Sequence, residues 1–186
     1  MIKAKRTNTK VTTGEIRISY PHVWEPYAME GNEPKYSVSI IIPKTDKETL
    51  KAIKEATEQA KEEGKNKWNG KVPGNLKTPL RDGDIDRPDD EAYKGCYFLN
   101  ANSKNKPGIV DRDVQPILDQ SEVYAGCYAR VTLNFYAYNA NGNKGVAAGL
   151  GNIQKLRDGE PLGGITRAED DFDSVDDNAP EDDFLG

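Results

Sequence analysis

The chain has one histidine and two cysteines among its 186 residues, which is too few for the common zinc sites. A structural zinc ion takes about four Cys or His ligands, whereas Cys96 and Cys127 stand far apart and form no CxxC pair. The P-loop and nucleophile-elbow motifs are missing, and His22 has no recognisable nucleophile beside it in the sequence. We therefore expect no catalytic residue, no metal site and no cofactor.

Long apolar runs are missing as well. No segment approaches the roughly 20 apolar residues that cross a bilayer. The first residues, MIKAKR, have no apolar stretch after their charges, so they do not match a secretory signal. The absence of both features predicts a protein that works in the cytoplasm without a membrane, where its cysteines would stay reduced.

Basic residues are absent from residues 169–186, which contain nine acidic residues. Of the 31 acidic residues in the chain, 22 therefore remain in residues 1–168, against all 26 basic ones. The body thus carries a net charge of +4 and the tail −9, although the whole chain is at −5. This division predicts a basic binding domain over residues 1–160 and a disordered acidic tail over residues 161–186.

Alternation of apolar and polar residues predicts several β-strands. The predicted strands are residues 11–20, 35–42, 94–101 and 108–111. Their inward-facing residues would be Ile16, Ile18 and Tyr20 in the first strand and Tyr36, Val38, Ile40 and Ile42 in the second. The proline-containing residues 21–34 and the long polar stretch 65–92 are predicted to be loops.

One helix and one long hairpin complete the predicted elements. Thr45 and Glu48 form a capping-box pattern that starts a helix, and Gly64 ends it. The longest alternation runs over residues 123–138, and the turn at residues 140–143 leads to a partner strand over residues 145–156. Five to seven strands with one helix predict a mainly β domain, built as a small closed or partly open barrel.

The even positions of residues 123–138 are the first candidate binding site. If this strand is unbroken, its apolar odd positions face the core and its even positions present tyrosines with an arginine. Bases of single-stranded nucleic acid stack on such rings while cations contact the phosphates. The stacking candidates are Tyr124, Tyr128, Tyr136, Tyr138 and Trp68, and the phosphate candidates are Lys77, Arg81, Lys104 and Arg130.

Other interpretations of these residues stay open. The tyrosines could be covered by a loop or subunit, and a bulge at Gly126 would turn Tyr124 away from the others. Asp82, Asp84 and Asp86 fail the EF-hand spacing, because the positions that need Gly and Glu hold other residues. A Mg²⁺-dependent nuclease that uses these three aspartates is one alternative function. A protein-interaction or DNA-mimic module that works through its acids is another.

Four stretches, in the same order along nearly the whole chain, resemble a phage family of single-stranded-DNA-binding proteins. They are residues 79–84 (PLRDGD), 95–101 (GCYFLNA), 107–111 (PGIVD) and 124–130 (YAGCYAR). The resemblance implies a five-stranded, partly open OB-fold barrel with one helix, a long hairpin and an acidic tail. It also implies a protein that coats and protects single-stranded DNA, without sequence preference, during phage replication or recombination in an infected bacterial cell.

The acidic tail has a predicted function of its own. Tethered to a basic body, it is at high effective concentration for the groove that takes DNA, and we expect it to compete with phosphates. Once released, its aromatic and acidic residues would bind phage or host replication proteins. The residues expected to do so are Asp182, Asp183, Phe184 and Leu185. Whether the protein forms a homodimer is left open by the sequence.

Overall fold

The computed structural model of the protein describes residues 2–28, 31–162 and 172–175. Within these residues, nine strands form one sheet. The strands are β1 (Lys5–Thr7), β2 (Lys10–Thr12), β3 (Ile16–Tyr27), β4 (Lys35–Pro43), β5 (Arg81–Asp82), β6 (Cys96–Ser103), β7 (Ile109–Val110), β8 (Tyr128–Ala140) and β9 (Asn143–Arg157). The helices are α1 (Lys47–Glu63) and the single turn α2 (Gly83–Asp86). None of the helices in these described ranges is long and apolar enough to cross a membrane.

The five longest strands curl into a partly open barrel. β3 pairs with β4, β4 with β6, and β8 with β9, all in antiparallel ladders. Two short ladders complete the circuit, with two residue pairs between β3 and β8 and two parallel pairs between β6 and β9. A partly open five-stranded barrel of this kind is an OB-fold, which confirms the predicted fold class.

The inside of the barrel holds the apolar core. The odd-numbered residues of β8 from Ala129 to Ala137 are all buried, as the alternation predicts, and Phe135 is only 1% exposed. Ile18, Ile40 and Leu99 face them from β3, β4 and β6, and each is fully buried. The long hairpin of β8 and β9 is also confirmed, with its turn at Asn141 and Gly142.

Helix α1 packs one face against this core. Asp46, rather than Thr45, caps its first turn: the side chain of Asp46 accepts a hydrogen bond from the backbone N–H of Thr49 at 3.2 Å. Gly64 ends the helix, as predicted, and its N–H donates to the carbonyl of Ala60. Seven residues of the helix are buried, among them Leu50, Ile53, Thr57 and Ala60.

Strand β3 departs from the prediction in two ways. Tyr20 was expected to face inward, and this is wrong: Tyr20 is 55% exposed with a φ of 45°, where a register shift interrupts the pairing with β4. The predicted loop after Pro21 is also wrong, because β3 continues to Tyr27. Prolines are tolerated where a strand is irregularly paired, and beyond Ser19 the pairing of β3 with β4 shifts register twice.

The expectation of one unbroken strand from Val123 is wrong as well. Gly126 has a φ of 115°, a conformation that other residues rarely adopt, and β8 begins only at Tyr128. Val123 is buried, whereas Tyr124 lies before the strand and does not share its outer face. From Tyr128 onward the alternation holds.

The chain that follows β9 lies against this break. We call residues 158–162 the exit segment. The N–H of Leu162 donates to the carbonyl of Ala125 at 2.9 Å, and Arg17 donates to the carbonyl of Glu160 at 2.7 Å. Leu162 also packs against a small outer cluster of Ile41, Tyr93 and Phe98. The exit segment is therefore part of the folded body.

Candidate nucleic-acid interface

The outer surface of β3, β4 and β6 is a flat sheet surface that faces away from the core. Ile18, Ile40 and Leu99 are cross-strand partners on these strands, and all three point into the barrel. Because successive strand residues point to opposite faces, the residues next to them point outward. Cross-strand partners share a face, so the register identifies which outward-facing residues are neighbours across the strands.

Five residues form the open sheet face: His22, Tyr27, Ser37, Asn100 and Asn102. His22, Ser37 and Asn102 are partners in one row across β3, β4 and β6. Tyr27 is 55% exposed and stacks on His22, with ring centroids 4.6 Å apart and planes 21° apart. Short polar side chains beside this partly exposed aromatic pair leave room for bases to lie against the sheet and offer them hydrogen-bond partners.

His22 and Tyr27 were not among the predicted site residues. The prolines around them indicate a loop, and the loop prediction took no account of a regular spacing of aromatic residues in the sequence. Tyr20, His22 and Trp24 follow one another at every second position, as residues on one side of a strand do. That alternation was the available signal.

The other end of the same outer surface is covered by residues 83–93. Tyr93 is buried there against Phe98, and its hydroxyl lies 3.4 Å from the Oγ of Ser39. The guanidinium of Arg87 lies 5.5 Å from the ring centroid of Tyr20 and 5.1 Å from that of Tyr93. These contacts close this end and leave the surface open around His22 and Asn102.

Cations stand at the edges of the open sheet face. Lys35 is the cross-strand partner of Tyr27, and the Nζ of Lys104 lies 3.4 Å from Glu33 in an exposed ion pair. Arg81 is the partner of Phe98, so it shares the outward side of β6 and is itself exposed. The predicted phosphate contacts Lys104 and Arg81 therefore lie near this face.

Three other predicted residues lie together on the hairpin of β8 and β9. Tyr136 and Tyr138 are on the outward side of β8, and Tyr136 is 42% exposed. Lys77 forms a bridge with Gly145 of β9 and donates to the side chain of Asn143 at 3.0 Å. We call this region the hairpin surface.

The remaining predicted residues make contacts within the protein. Trp68 is only 4% exposed, and its indole N–H donates to the carbonyl of Tyr138 at 3.2 Å. Its prediction as a stacking residue is corrected by this position, because a buried ring offers no face to a base. Arg130 donates to the carbonyls of Thr13 and Lys3, at 3.3 and 3.0 Å.

Tyr124 and Tyr128 make contacts within the protein at the end of the barrel near the exit segment. The hydroxyl of Tyr124 accepts from the N–H of Gly159 at 3.0 Å and donates to Asp158 at 3.1 Å, and burial raises its pKa. The guanidinium of Arg157 lies 3.8 Å from the ring centroid of Tyr128, and that of Arg17 lies 5.3 Å away. One ring face of Tyr128 is thus already occupied at close range.

The aspartates considered for a nuclease have structural contacts. Lys44 lies 2.8 Å from both Asp82 and Asp84, and this ammonium holds the pKa of Asp84 below its usual range. Asp82 also caps α2, and Asp84 accepts from the N–H of Gly95 at 3.0 Å. Across residues 2–28, 31–162 and 172–175, no three metal-ligating side chains come together.

Comparison with known proteins identifies the family. The family described as "Enterobacter phage Enc34, ssDNA-binding protein" matches residues 9–185, which is almost the whole chain. The chain belongs to this family.

Two solved structures and one further phage protein are similar to the chain. The single-stranded DNA-binding protein of bacteriophage Enc34 in complex with ssDNA is 28% identical, with a TM-score of 0.71 over 88% of this chain and 98% of that one. Protein p50 of Acyrthosiphon pisum secondary endosymbiont phage 1 is 32% identical over 89% of this chain and 94% of its own length. The gp2.5 protein of bacteriophage T7, at 17% identity and a TM-score of 0.60 over 95% and 97% of the two chains, shares the fold.

The predicted partner-binding residues Asp182, Asp183, Phe184 and Leu185 lie outside the described residues. Of residues 163–186, the structure describes 172–175, and there Phe172 and Val175 are 76% and 89% exposed. The exit segment ends beside Tyr20 and Ser19, at a cavity of about 340 Å³ that Leu162 helps to line. The exit segment therefore ends on the same outer surface that carries the open sheet face, at its covered end.

Proposed function

We propose that the protein binds single-stranded DNA without sequence preference, and that the open sheet face is its main contact. The observation that carries this proposal is the stack of His22 on the exposed Tyr27, beside a row of short polar side chains. The Enc34 relative, whose structure includes ssDNA, supports the same substrate.

Stacking and charge would share the work of binding. An aromatic platform takes any base because every base has a π-face, which explains tolerance of sequence. Lys35, Lys104 and Arg81 stand where a backbone that follows the face would place its phosphates. Lys104 would leave Glu33 and pair with a phosphate instead. This change costs little free energy because the ion pair of Lys104 with Glu33 is exposed.

The acidic tail would compete with DNA for the same surface. Its nine acids follow the exit segment, which packs at the covered end of the outer surface that carries the open sheet face. When DNA displaces the tail, the acids and Phe184 become available to phage or host replication proteins. This gives a protein that coats and protects DNA during phage replication or recombination in the infected host's cytoplasm, with no chemical step of its own. A homodimer is compatible with this role.

Titration of oligo-dT across a salt series tests the proposal. The logarithm of the binding constant should fall with the logarithm of salt concentration, with a slope of about −0.7 per phosphate neutralised. Absence of binding at low salt, in the full-length protein and after removal of the tail, would overturn the proposal. Binding that does not weaken as salt rises would instead show that the cations make no contact with phosphates.

Deleting residues 169–186 should tighten oligo-dT binding, by an amount on the order of tenfold at low salt. The gain should shrink as salt rises, because screening already weakens the tail's attraction to the body. The matched control keeps the length of the tail and replaces its nine acids with the corresponding amides, which should tighten binding as much as the deletion. If affinity is the same with and without the tail at every salt concentration, the competition does not occur.

A further inference from the structure

The sheet has a free edge at β1, and this edge is basic. Among the described residues, β1 pairs with β2 on one side only, and its three residues are all exposed. Residues 2–12, which we call the basic edge, contain four basic residues and no Asp or Glu. Two of these, Lys3 and Lys5, take part in no ion pair with any residue that the structure describes. Their charge is therefore available to a partner.

Large apolar side chains are exposed on the loop that follows β7. This loop, residues 111–119, holds Leu118 with 88% of its surface exposed and Val114 with 65%. The N–H of Ile117 donates to the carbonyl of Ile109 at 3.0 Å, and this hydrogen bond fixes the backbone next to Leu118. A fixed loop that keeps two such side chains in water is typical of a surface that another protein covers.

The same loop is acidic, and we call it the acidic loop. It contains three aspartates against one arginine. Asp113 and Asp119 line a cavity of about 470 Å³ together with Leu118, and neither is in an ion pair within the part of the chain that the structure describes. Because these carboxylates repel the phosphates of DNA, the partner that suits the loop is a protein with basic residues.

The strand register places the acidic loop next to the basic edge. Lys5, Thr12 and Thr132 are cross-strand partners in one row over β1, β2 and β8, so they share a face of the sheet. Thr12 and Thr132 also line a cavity of about 150 Å³ with Val114 of the loop. A surface with positive charge on one half and negative charge on the other is complementary to itself. When a second copy is rotated by a half-turn, each half meets the opposite charge.

We propose that this surface joins two copies of the protein, with the acidic loop of each copy against the basic edge of the other. The contact is isologous, so every interaction in it is made twice. Leu118 would lose its exposure to water in both copies, which supplies a hydrophobic contribution to the association. Asp113 and Asp119 beside it would face the lysines of the second copy's basic edge.

The contact uses none of the residues that the proposed function assigns to DNA. The acidic loop packs against the last residues of β9, where the side chain of Arg112 donates to the carbonyl of Leu156 at 3.1 Å. The hairpin surface lies at the other end of β9, and the open sheet face is formed by β3, β4 and β6. Association of two copies and binding of DNA can therefore be measured separately.

Sedimentation velocity of the full-length protein without DNA, over a range of protein concentrations, tests this contact. The unsubstituted protein should form a dimer at high concentration. Asp113→Lys/Asp119→Lys in the acidic loop and Lys3→Glu/Lys5→Glu in the basic edge should each weaken self-association by about 100-fold or more, because like charges then face each other. An equal mixture of the two variants should form dimers again, since the reversed loop meets the reversed edge. Restored association also shows that both variants are folded.

Leu118→Ser tests the apolar part of the contact. The side chain is exposed in one copy, so its replacement should not affect the fold. Association should weaken by roughly tenfold or more, because two leucines lose their burial. Leu118→Met retains an apolar side chain of similar volume and should associate normally. Lys51→Glu/Lys54→Glu, on the exposed face of α1, alters the net charge as the basic-edge variant does and should also associate normally.

An unsubstituted protein that is monomeric at every concentration would overturn the proposal. Unchanged association of Leu118→Ser would do the same, and so would a mixture of the two charge variants that associates no better than either variant alone. Deleting residues 169–186 should leave the dimer intact, and loss of the dimer would show that the tail makes the contact instead. None of these measurements involves DNA, so absence of oligo-dT binding would count against the proposed function and not against this contact.

Discussion

Replacing both His22 and Tyr27 with alanine should weaken oligo-dT binding by tenfold to 100-fold. Stacking contributes roughly 1–3 kcal/mol per base, and about 1.4 kcal/mol corresponds to a factor of ten. His22 and Tyr27 stack on each other, so they act as one platform and their single replacements should not add. Anisotropy titrations at one fixed salt concentration give the affinities.

The control for this experiment keeps the ring. Tyr27→Phe removes only the hydroxyl and should bind like the unsubstituted protein if stacking is the contact. An unfolding midpoint measured for each variant separates lost contacts from lost structure, and Tyr27 is exposed enough that little stability should change. Normal affinity of the double alanine variant would show that DNA does not use the open sheet face.

Gly126→Ala should destabilise the fold by about 3 kcal/mol or more, which combines backbone strain with a steric conflict. Gly126 has a φ of 115°, and a Cβ there would fall 2.0 Å from the carbonyl oxygen of Glu160. For a chain of this size, such a loss lowers the melting temperature by roughly 10 °C. Thermal unfolding followed by circular dichroism measures the change.

Gly142→Ala separates the backbone strain from the steric conflict. Gly142 also has a positive φ, of 82°, but nothing lies within 4 Å of a Cβ at that position. This variant should therefore lose only the backbone contribution, on the order of 1 kcal/mol. If both variants lose the same stability, the contact between Gly126 and the exit segment contributes nothing.

The parts of the fold that the sequence predicted correctly are those where one physical signal acts alone. The alternation of Ala129 to Ala137 has no competing signal, and neither does the Asn-Gly turn of the hairpin. Helix α1 was also recognisable, although its cap shifted by one residue because Asp46 accepts the hydrogen bond that Thr45 was expected to accept. Local patterns were sufficient for these elements.

Strand β3 could not be predicted because two signals conflict there. Pro21 and Pro26 indicate a loop, while Tyr20, His22 and Trp24 indicate a strand, and only the pairing partners in three dimensions decide. Trp68 shows a different limit. Its neighbours are lysines and asparagine, as in an exposed loop, yet the ring fills a place in the core beside the hairpin. Long-range packing of this kind leaves no local pattern in the sequence.

The short ladders that complete the barrel have a consequence for its motion. With two residue pairs each, the contacts of β3 with β8 and of β6 with β9 should open far more often than the long ladder of β8 with β9. Amide hydrogens at these two junctions should exchange with solvent first. DNA bound on the open sheet face, which includes Asn102, should slow exchange at the junction of β6 with β9 while leaving the junction of β3 with β8 unchanged.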